Sequence, residues 1–455
     1  MIDFEQFTKY SKPGPRYTSY PTAPEFNDNF GAGDYEAILK SQDKERKLSL
    51  YFHMPFCRSA CYFCGCNVVF TSKEEKKERY IDYLLKEMKI LSNSLDTSRE
   101  VLQLHFGGGT PTFFDAAQLD KIIKAIWQTF PNRAKDAEIS CEIDPRFLTT
   151  EQMGVLRENG FNRISFGVQD FDEKVQREVH RIQPFEVTKN AVDIARNSGI
   201  TSINMDLIYG LPYQSLESFS KTLKKSLELD IDRYAIFNYA HVPWMKKTMR
   251  KFDETTLPAP KEKLAIMRHT IDFLSSHGYK MIGMDHFAKP KDELFLAIKK
   301  GELHRNFQGY TTKGGTDLIG IGLTSIGEGE RHYVQNFRDM EKYEECIDSG
   351  KLPVMRGLAL SDDDVLRKAV IMEMMSNFKL NIKNIEKRFG IDFFDYFKDD
   401  IKELRAFINE GLVTLDERSL QVNDTGTLLI RNICMPFDAY LKKVPEELRR
   451  FSKTV

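Results

Sequence analysis

Four cysteines lie close together in the sequence, at Cys57, Cys61, Cys64 and Cys66. The first three have the spacing C-x3-C-x2-C, and such clustering of thiols indicates a metal site. Three thiolates on one loop can each hold one iron of a four-iron cubane. The fourth iron then stays open to a chelating small molecule, and the amino and carboxylate groups of a methionine moiety suit it.

Two other interpretations of the cysteines are considered. A zinc site would show paired C-x2-C halves separated by a spacer, and this pattern is not found. Cys66 as a fourth ligand would give a closed electron-transfer cluster, but the spacing of Cys64 and Cys66 is tight for two ligands of one cube. We therefore predict a [4Fe-4S] cluster held by Cys57, Cys61 and Cys64, with Cys66 non-ligating and near the substrate. The other cysteines are dispersed, at positions 141, 346 and 434.

Short β-rich runs, each followed by an amphipathic helical stretch, must position this loop. Helical spacing of apolar residues predicts a helix over Glu78–Leu95. Alternation of this kind predicts a parallel sheet in an α/β fold, because parallel neighbours need crossover helices. Periodicity leaves open whether the sheet is doubly wound or a partial barrel. The predicted strands are Leu48–His53, Leu102–Phe106, Glu138–Ile143, Arg163–Val168, Ser202–Tyr209 and Tyr234–Tyr239.

Polar and glycine residues recur where these strands end. The sequence GGGT follows the second strand, Glu142 lies in the third, Gln169 follows the fourth and Asp206 lies in the fifth. Parallel α/β folds place their functional sites at the carboxyl edge of the sheet. The repetition favours a site that lines this edge.

The ends of the chain have a different character. Prolines at positions 13, 15, 21 and 24 predict an irregular segment up to about residue 45. From Ser361 the sequence is mostly helical, and GLVTLDERSLQVNDTG predicts a hairpin, so a winged helix is one interpretation. Acidic residues there disfavour DNA binding and favour a structural lid. We predict an N-terminal arm (1–45), a core barrel (46–285), a glycine-rich connecting segment that completes the site (286–360) and a mostly helical C-terminal domain (361–455).

Composition excludes several function classes. The chain has 455 residues, with 66 basic and 67 acidic side chains and a net charge of -1, which does not favour nucleic acid or an acidic membrane. The N-terminus lacks the pattern of a signal peptide, and no window has the ~18 apolar residues of a membrane span. We expect a cytoplasmic monomer.

The motifs resemble those of the oxygen-independent coproporphyrinogen III oxidases of the radical S-adenosylmethionine (SAM) superfamily. The three-cysteine motif alone would indicate only the superfamily. The more specific resemblance covers nearly the whole chain and is carried by PGPRYTSYPT, YFHMPFCRSACYFCGCN, HFGGGTPT, EIDPR, RISFGVQDF, DLIYGLP, GMDHFA, LHRNFQGYTT and RNICM.

The resemblance implies a partial (β/α)6 radical SAM barrel with an N-terminal arm and a mostly helical C-terminal domain. It implies one [4Fe-4S] cluster and two SAM molecules. The implied reaction is the anaerobic oxidative decarboxylation of two propionates of coproporphyrinogen III to vinyl groups, via a 5′-deoxyadenosyl radical, in haem biosynthesis. The electron donor and acceptor are not identified, and no side chain is assigned as catalytic beyond the cluster and SAM.

The resemblance also implies roles for individual residues. Tyr51 matches a tyrosine near the cluster-bound SAM, with a core strand tyrosine as the alternative. Glu142 matches a contact to the first SAM, and Ala240 and Ile326 match positions that line it. The glycine motif that lines the SAM sites matches Gly108, Gly109 and Thr110. Contacts to the second SAM match Phe63, Gln169, Arg181 and Asp206; for Arg181 and Asp206 the alternative is a solvated charge or an internal ion pair.

The substrate carries four propionates, so we expect basic residues at the entrance of the site. Arg16 of the N-terminal arm is the candidate, with an exposed arginine as the alternative. Rival functions are a radical SAM-family haem chaperone and a tetrapyrrole methyltransferase. The arm, the NFQGYTT segment and Cys66 together favour the oxidase over the chaperone.

Overall fold

A computed structural model describes residues 9–449, 451, 452 and 454. These residues form two compact units. One, here called the barrel unit, contains Phe26–Ile266 and Gly315–Ala359. The other, here called the terminal unit, contains the chain up to Glu25, Met267–Gly314 and the chain from Leu360. This division rests on contacts, and the predicted domain boundaries remain a prediction.

The strands alternate with helices through the first half of the described chain. The strands are β1 (Leu48–Met54), β2 (Phe56–Cys57), β3 (Val69–Phe70), β4 (Val101–Gly108), β5 (Arg133–Ile143), β6 (Arg163–Gln169), β7 (Ser202–Tyr209), β8 (Arg233–Asn238), β9 (Lys280–Ile282), β10 (His286–Ala288), β11 (His304–Asn306), β12 (Gly309–Thr311), β13 (Asp317–Ile321), β14 (Ile326–Glu328), β15 (His332–Asn336), β16 (Val354–Ala359), β17 (Lys379–Asn381), β18 (Val413–Leu415) and β19 (Ser419–Val422).

The α-helices are concentrated between the parallel strands and near the C-terminus. They are α1 (Ala32–Ser41), α2 (Glu74–Leu91), α3 (Ala116–Thr129), α4 (Thr150–Glu158), α5 (Glu173–Glu178), α6 (Phe185–Asn197), α7 (Leu216–Leu227), α8 (Pro260–Ser276), α9 (Glu293–Lys300), α10 (Met340–Asp348), α11 (Asp362–Asn377), α12 (Ile382–Phe389), α13 (Phe393–Tyr396), α14 (Lys398–Asn409), α15 (Asp424–Thr427) and α16 (Ile430–Cys434). None of the described helices is long and apolar enough to cross a membrane.

The barrel unit contains the predicted parallel sheet. Strands β1, β4, β5, β6, β7 and β8 lie side by side in chain order, and each is parallel to its neighbour. Helices join successive strands, as parallel pairing requires. On the other side of β1, the parallel strand β13 leads into the antiparallel strands β14, β15 and β16. The α/β prediction is confirmed, and the six predicted runs coincide with these six strands.

Alternation along the strands separates the core from the functional face. In β6, Ile164, Phe166 and Val168 are buried, whereas the residues between them are less buried. Strand β7 repeats the pattern with a buried row of Ile203, Met205 and Leu207. Because successive side chains point to opposite faces, the polar residues of these strands share one face.

Two local predictions were wrong. The prediction of an irregular segment up to residue 45 fails at α1, because the prolines end at Pro24 and Ala32–Ser41 is free of them. Helix α2 begins and ends four residues before the predicted Glu78–Leu95. Its first turn carries Glu74 and Glu75, and acidic side chains stabilise a helix N-terminus.

The terminal unit is mostly helical from Leu360 onward, as predicted. The predicted hairpin is formed by β18 and β19, and β17 pairs with β19 to complete a three-stranded antiparallel sheet. The same unit contains two small antiparallel pairs, β9 with β10 and β11 with β12.

Candidate active site

The cysteine loop follows β1 and is held at both ends by backbone contacts. On one side, the short strands β2 and β3 pair, and Val69 N–H donates to the Pro55 carbonyl at 2.7 Å. On the other, Tyr62 N–H donates to the Val179 carbonyl at 3.0 Å. The Tyr62 ring stacks on His180 with centroids 5.0 Å apart. These contacts anchor the cysteine loop to the strands and to the segment after α5.

The glycine motif after β4 approaches the cysteine loop closely. Gly109 N–H donates to the Met54 carbonyl at 2.8 Å, and Thr110 N–H donates to the Phe56 carbonyl at 2.9 Å. A Cβ on Gly109 would lie 2.7 Å from the Phe56 carbonyl oxygen, and one on Gly108 would lie 2.5 Å from the His53 ring. Gly108 also has a φ of +112°, a conformation that favours glycine. These glycines are thus required by the loop itself.

Polar side chains line up across the carboxyl ends of the strands. Glu142 of β5 lies opposite Ser165 of β6, which lies opposite Asn204 of β7. Asp206 accepts hydrogen bonds from Ser165 Oγ at 3.1 Å and from Asn204 Nδ2 at 2.7 Å. A register shift in β6 precedes Gln169, whose φ is +73°. Such irregularities re-aim side chains near functional sites.

Two arginines lie beside the cysteines and share one carboxylate. Arg181 Nη1 lies 3.2 Å from Asp144 Oδ2 and 3.5 Å from Cys61 Sγ. Arg146 Nη2 lies 2.6 Å from the same Asp144 oxygen and 4.0 Å from Cys61 Sγ. Burial opposes ionisation of Asp144, but Arg181 and Arg146 outweigh it and lower its pKa. Both guanidinium groups therefore contact the Cys61 sulfur as well as Asp144.

The other two predicted ligands differ in their surroundings. Hydrogen bonds from the thiol and backbone N–H of Cys66 lower the pKa of Cys64 to about 6. Burial raises the pKa of Cys57 to about 12, although Thr110 Oγ1, at 3.8 Å, opposes this. A bound metal deprotonates a coordinating thiol outright, so Cys57 requires the positive charge of iron to become a ligand.

Two further carboxylates of the site, Glu142 and Asp206, have pKa values shifted in opposite directions. Removal from water would raise the pKa of Glu142, but hydrogen bonds from His105 and from Gly108 N–H outweigh it and lower the pKa. Desolvation, with the negative charge of Glu142 as a second cause, raises the pKa of Asp206 to about 7. Carboxylates separated in this way are typical of functional sites.

These groups surround one cavity of about 260 Å³ within the barrel unit. The predicted residues that line it are Cys57, Cys61, Phe63, Cys64, Gly108, Gly109, Thr110, Glu142, Gln169, Arg181 and Asp206. Cys66 also lines the cavity. Tyr51, Ala240 and Ile326 are not among the lining residues. Tyr51 instead contacts His53 Nδ1 at 3.0 Å through its hydroxyl and stacks on His105, which in turn contacts Glu142.

The donor set fits an iron–sulfur cubane. Three cysteines on one loop line a cavity whose wall carries Arg146 and Arg181, and these cations would offset the charge of an anionic thiolate cluster. Among the described residues, no three His, Cys, Asp or Glu side chains converge on a point that would hold a single metal ion. A cubane does not require such convergence, because each thiolate binds a different iron.

Sequence reasoning missed several residues of this site. Asp144 and Arg146 lie within the quoted motif EIDPR but were given no role, and the contact of Arg181 with Asp144 explains their importance. Ser165 and Asn204 were also missed, although they alternate with apolar residues and occupy the same face as Asp206. That alternation was the available signal. For Arg181, the alternative of an internal ion pair is observed, and its contact with the second SAM remains a prediction.

Comparison with known proteins agrees with this geometry. Residues 51–225 match the model of the radical SAM superfamily, and residues 360–429 match that of the HemN C-terminal domain. An oxygen-independent coproporphyrinogen III oxidase of Helicobacter pylori strain J99 is 57% identical, over 100% of this chain and 99% of that protein. The protein of the same name from Escherichia coli K12 is 46% identical, over 100% of this chain and 98% of that protein.

A solved structure shows the same architecture. The coproporphyrinogen III oxidase HemN from Escherichia coli, described as a radical SAM enzyme, superposes with a TM-score of 0.92 and 45% identity. The match covers 96% of this chain and 99% of that chain. The predicted partial barrel with a mostly helical C-terminal part is confirmed. This chain therefore belongs to the oxygen-independent coproporphyrinogen III oxidases, radical SAM enzymes that use a [4Fe-4S] cluster and SAM.

Proposed function

We propose that this chain converts two propionates of coproporphyrinogen III into vinyl groups without oxygen, giving protoporphyrinogen IX. The observation that carries the proposal is the convergence of Cys57, Cys61 and Cys64 with Glu142 and Asp206 around one cavity at the carboxyl edge of the parallel sheet. Near-complete coverage of the H. pylori and E. coli relatives supports the same substrate.

Cys57, Cys61 and Cys64 would hold the cluster, and two SAM molecules would occupy the surrounding space. When bound, the cluster and SAM supply one-electron chemistry that removes a hydrogen atom from the carbon next to the tetrapyrrole ring. No side chain of the protein is assigned as a general acid or base. Its contribution is positioning and the exclusion of water and oxygen.

Individual residues would orient SAM through hydrogen bonds. Glu142 is held by His105 and by Gly108 N–H, so an ionised carboxylate is presented as an acceptor for ribose hydroxyls. Phe63, Gln169, Arg181 and Asp206 would contact the second SAM, and Gly108, Gly109 and Thr110 would line both sites. Tyr51, Ala240 and Ile326 are proposed to lie near the first SAM. Tyr51 would act through His105 and Glu142.

Other features of the proposal concern partners. Each decarboxylation releases carbon dioxide and leaves one further electron, so an electron donor and a final acceptor of unidentified nature are required. The near-neutral charge supports neither nucleic acid nor membrane as a partner. We propose a cytoplasmic monomer, which sedimentation of the purified protein would test.

The deciding experiment is anaerobic incubation of the reconstituted protein with SAM, a reductant, an electron acceptor and coproporphyrinogen III. Mass spectrometry should show loss of two carboxyl groups together with 5′-deoxyadenosine. Formation of 5′-deoxyadenosine with an intact porphyrinogen would contradict the substrate assignment. A gain of mass would instead indicate a methyltransferase, and stable stoichiometric haem binding would indicate a chaperone.

A further inference from the structure

Four of the motifs that carry the family resemblance contribute nothing to the cavity of the barrel unit. They are PGPRYTSYPT, GMDHFA, LHRNFQGYTT and RNICM, and all four belong to the terminal unit. Each contributes one or two charged side chains to a single group, here called the arginine cluster. Its members are Arg16, Asp285, His286, Arg305 and Arg431.

Arg305 is positioned by the β11–β12 hairpin. It lies directly opposite Tyr310 in the register, and its guanidinium lies over the Tyr310 ring at 4.6 Å from the centroid. The His286 ring meets the same tyrosine edge-on at 5.1 Å. Tyr310 is buried, and a Cβ on Gly283 would fall 2.1 Å from its hydroxyl oxygen. The absence of a side chain at Gly283 therefore makes room for this tyrosine.

Asp285 is the carboxylate that these cations share. Its Oδ2 lies 2.5 Å from Arg16 Nη2, and its Oδ1 lies 2.6 Å from His286 Nδ1. Burial would raise the pKa of Asp285, but the charges of His286, Arg16 and Arg305 outweigh it and hold the pKa well below its usual range. Asp285 therefore stays ionised.

Arg431, from α16, adds a third guanidinium. Its Nε donates to the Pro15 carbonyl at 2.8 Å, and its Nη2 donates to the Gly14 carbonyl. Burial, followed by repulsion from Arg16, lowers its pKa to about 9, and Arg305 adds to this repulsion. Arg431 thus has a structural role, because it holds the backbone that carries Arg16.

Two nitrogens of the Arg305 side chain have no such structural role. Its Nε and Nη1 are buried, and neither has a hydrogen-bond partner among the described residues. Leaving buried donors of a cation unsatisfied is costly, as is holding three guanidinium groups around one carboxylate. Unsatisfied donors of a buried cation are suited to bind an anion.

We propose that the arginine cluster is a carboxylate-binding site that recognises propionate side chains of the tetrapyrrole, with Arg305 as its principal donor. This inference rests on the proposed function, because it takes its ligand from the proposed substrate. Guanidinium groups match carboxylates in geometry and bind them through paired hydrogen bonds. The ion pair with Arg16 neutralises Asp285, so that Asp285 does not repel the incoming carboxylate.

The test compares Arg305→Gln with Arg305→Lys and with the matched control Arg405→Gln. Arg405 is an exposed arginine of α14 in the same unit, so R405Q removes the same charge from a different place. The probes are coproporphyrin III, which carries four propionates, and its tetramethyl ester, which carries no free carboxylate. Binding to the reconstituted holoenzyme is followed by fluorescence under anaerobic conditions, and iron content is measured for each variant.

Arg305→Gln should weaken coproporphyrin III binding about tenfold or more, the loss expected for one charge-assisted hydrogen bond. Binding of the tetramethyl ester should change much less, because it offers no carboxylate to Arg305. With coproporphyrinogen III, KM should rise and kcat should stay within about twofold, since the contact is made equally in the ground and transition states. Arg305→Lys should recover part of the affinity, and R405Q should behave as the unaltered protein.

Equal weakening of both porphyrins by R305Q would overturn the inference, because it would indicate general damage. An unchanged KM, or the same change in R405Q, would do the same. If the unaltered protein binds coproporphyrin III through Arg305 but does not decarboxylate coproporphyrinogen III, the proposed function fails and the site stands. If the unaltered protein decarboxylates coproporphyrinogen III normally and R305Q changes neither porphyrin binding nor KM, the assignment of the arginine cluster is wrong and the proposed function stands.

Discussion

The cavity of the barrel unit and the arginine cluster of the terminal unit have a similar arrangement of charges, but their arginines differ in what else they contact. In each, several arginines share one buried carboxylate, Asp144 in the cavity and Asp285 in the cluster. In the cavity, Arg146 and Arg181 also contact Cys61 Sγ, a predicted cluster ligand, although Arg181 Nε is buried without a hydrogen-bond partner among the described residues. In the cluster, buried nitrogens of Arg305 meet no such group among the described residues.

This difference in contacts corresponds to two kinds of anion, one that stays bound to the protein and one that binds and leaves in each turnover. Thiolates and their iron remain bound through every turnover, so the protein can satisfy the adjacent arginines permanently. A substrate carboxylate must arrive and leave, so the cations that bind it must tolerate a state without it. Arginines that contact a permanent cluster ligand therefore indicate a cofactor site, whereas arginines without such a neighbour indicate a substrate site.

The largest expected effect comes from removing the anion of the cavity. Cys61→Ser should reduce the iron content close to zero and activity to the uncatalysed background, because a cluster iron loses its thiolate. Iron and sulfide analysis of the anaerobically reconstituted protein measures this. Cys66→Ser is the control, and it should retain iron because Cys66 is proposed to be non-ligating. Equal loss of iron in both variants would show that Cys66 is a ligand.

A second prediction concerns the removal of one arginine from the cavity. Arg181→Gln breaks a buried ion pair and should reduce the free energy of unfolding by about 3–5 kcal/mol, measured by urea denaturation. The cluster should also become harder to reduce, since a cation beside Cys61 is lost, and this separates the variant from simple destabilisation.

The control for Arg181 is Arg177→Gln, from the preceding helix α5. Arg177 pairs with Glu173 on the surface, and such exposed pairs contribute about 0–1 kcal/mol. A loss of stability in R177Q as large as that in R181Q would contradict the interpretation of Asp144 as a shared buried partner.

A third prediction concerns pH. The pKa of Asp206 is raised to about 7, above its value in the unfolded chain, so the native state binds this proton more tightly. Its contribution to stability is present at low pH and is lost as pH rises to about 7. Asp206→Asn removes this dependence. The variant should gain stability relative to the unaltered protein between about pH 4 and pH 7.

Urea denaturation of the SAM-free protein at several pH values measures this difference. Asp193→Asn, at an exposed residue of α6 that pairs with Lys189, is the control and should show no comparable change with pH. A difference between D206N and the unaltered protein that stays constant across this pH range would contradict the raised pKa.

The smallest expected effect is that of Arg16→Ala. About a third of the Arg16 side chain is exposed, so solvent and salt screen its charge. Substrate affinity should fall by about threefold to tenfold at low salt, less than for R305Q, and iron content should be unchanged. Added salt should narrow the gap between variant and unaltered protein. Unchanged substrate affinity in R16A would remove Arg16 from the arginine cluster's function.

The sequence by itself determined the cofactor chemistry and the presence of six parallel strands. The spacing of Cys57, Cys61 and Cys64 is local, and a loop of that length must present the three thiols together. The alternation in β6 and β7 is also local, so it contained the information that Ser165 and Asn204 share a face with Asp206, although the prediction from sequence did not use it. The predicted irregular arm was too long, because prolines show where a helix cannot form but do not show where the irregular segment ends.

Only the tertiary structure decided which charges meet. Arg181 is 37 residues from Asp144, and Arg16 is 269 residues from Asp285, and no periodicity relates them. The same holds for Gly109, whose need to be glycine comes from the Phe56 carbonyl that it approaches. Electrostatic energies depend on distance and burial in the folded chain, so a sequence pattern shows which charges exist, and the fold decides which of them are satisfied.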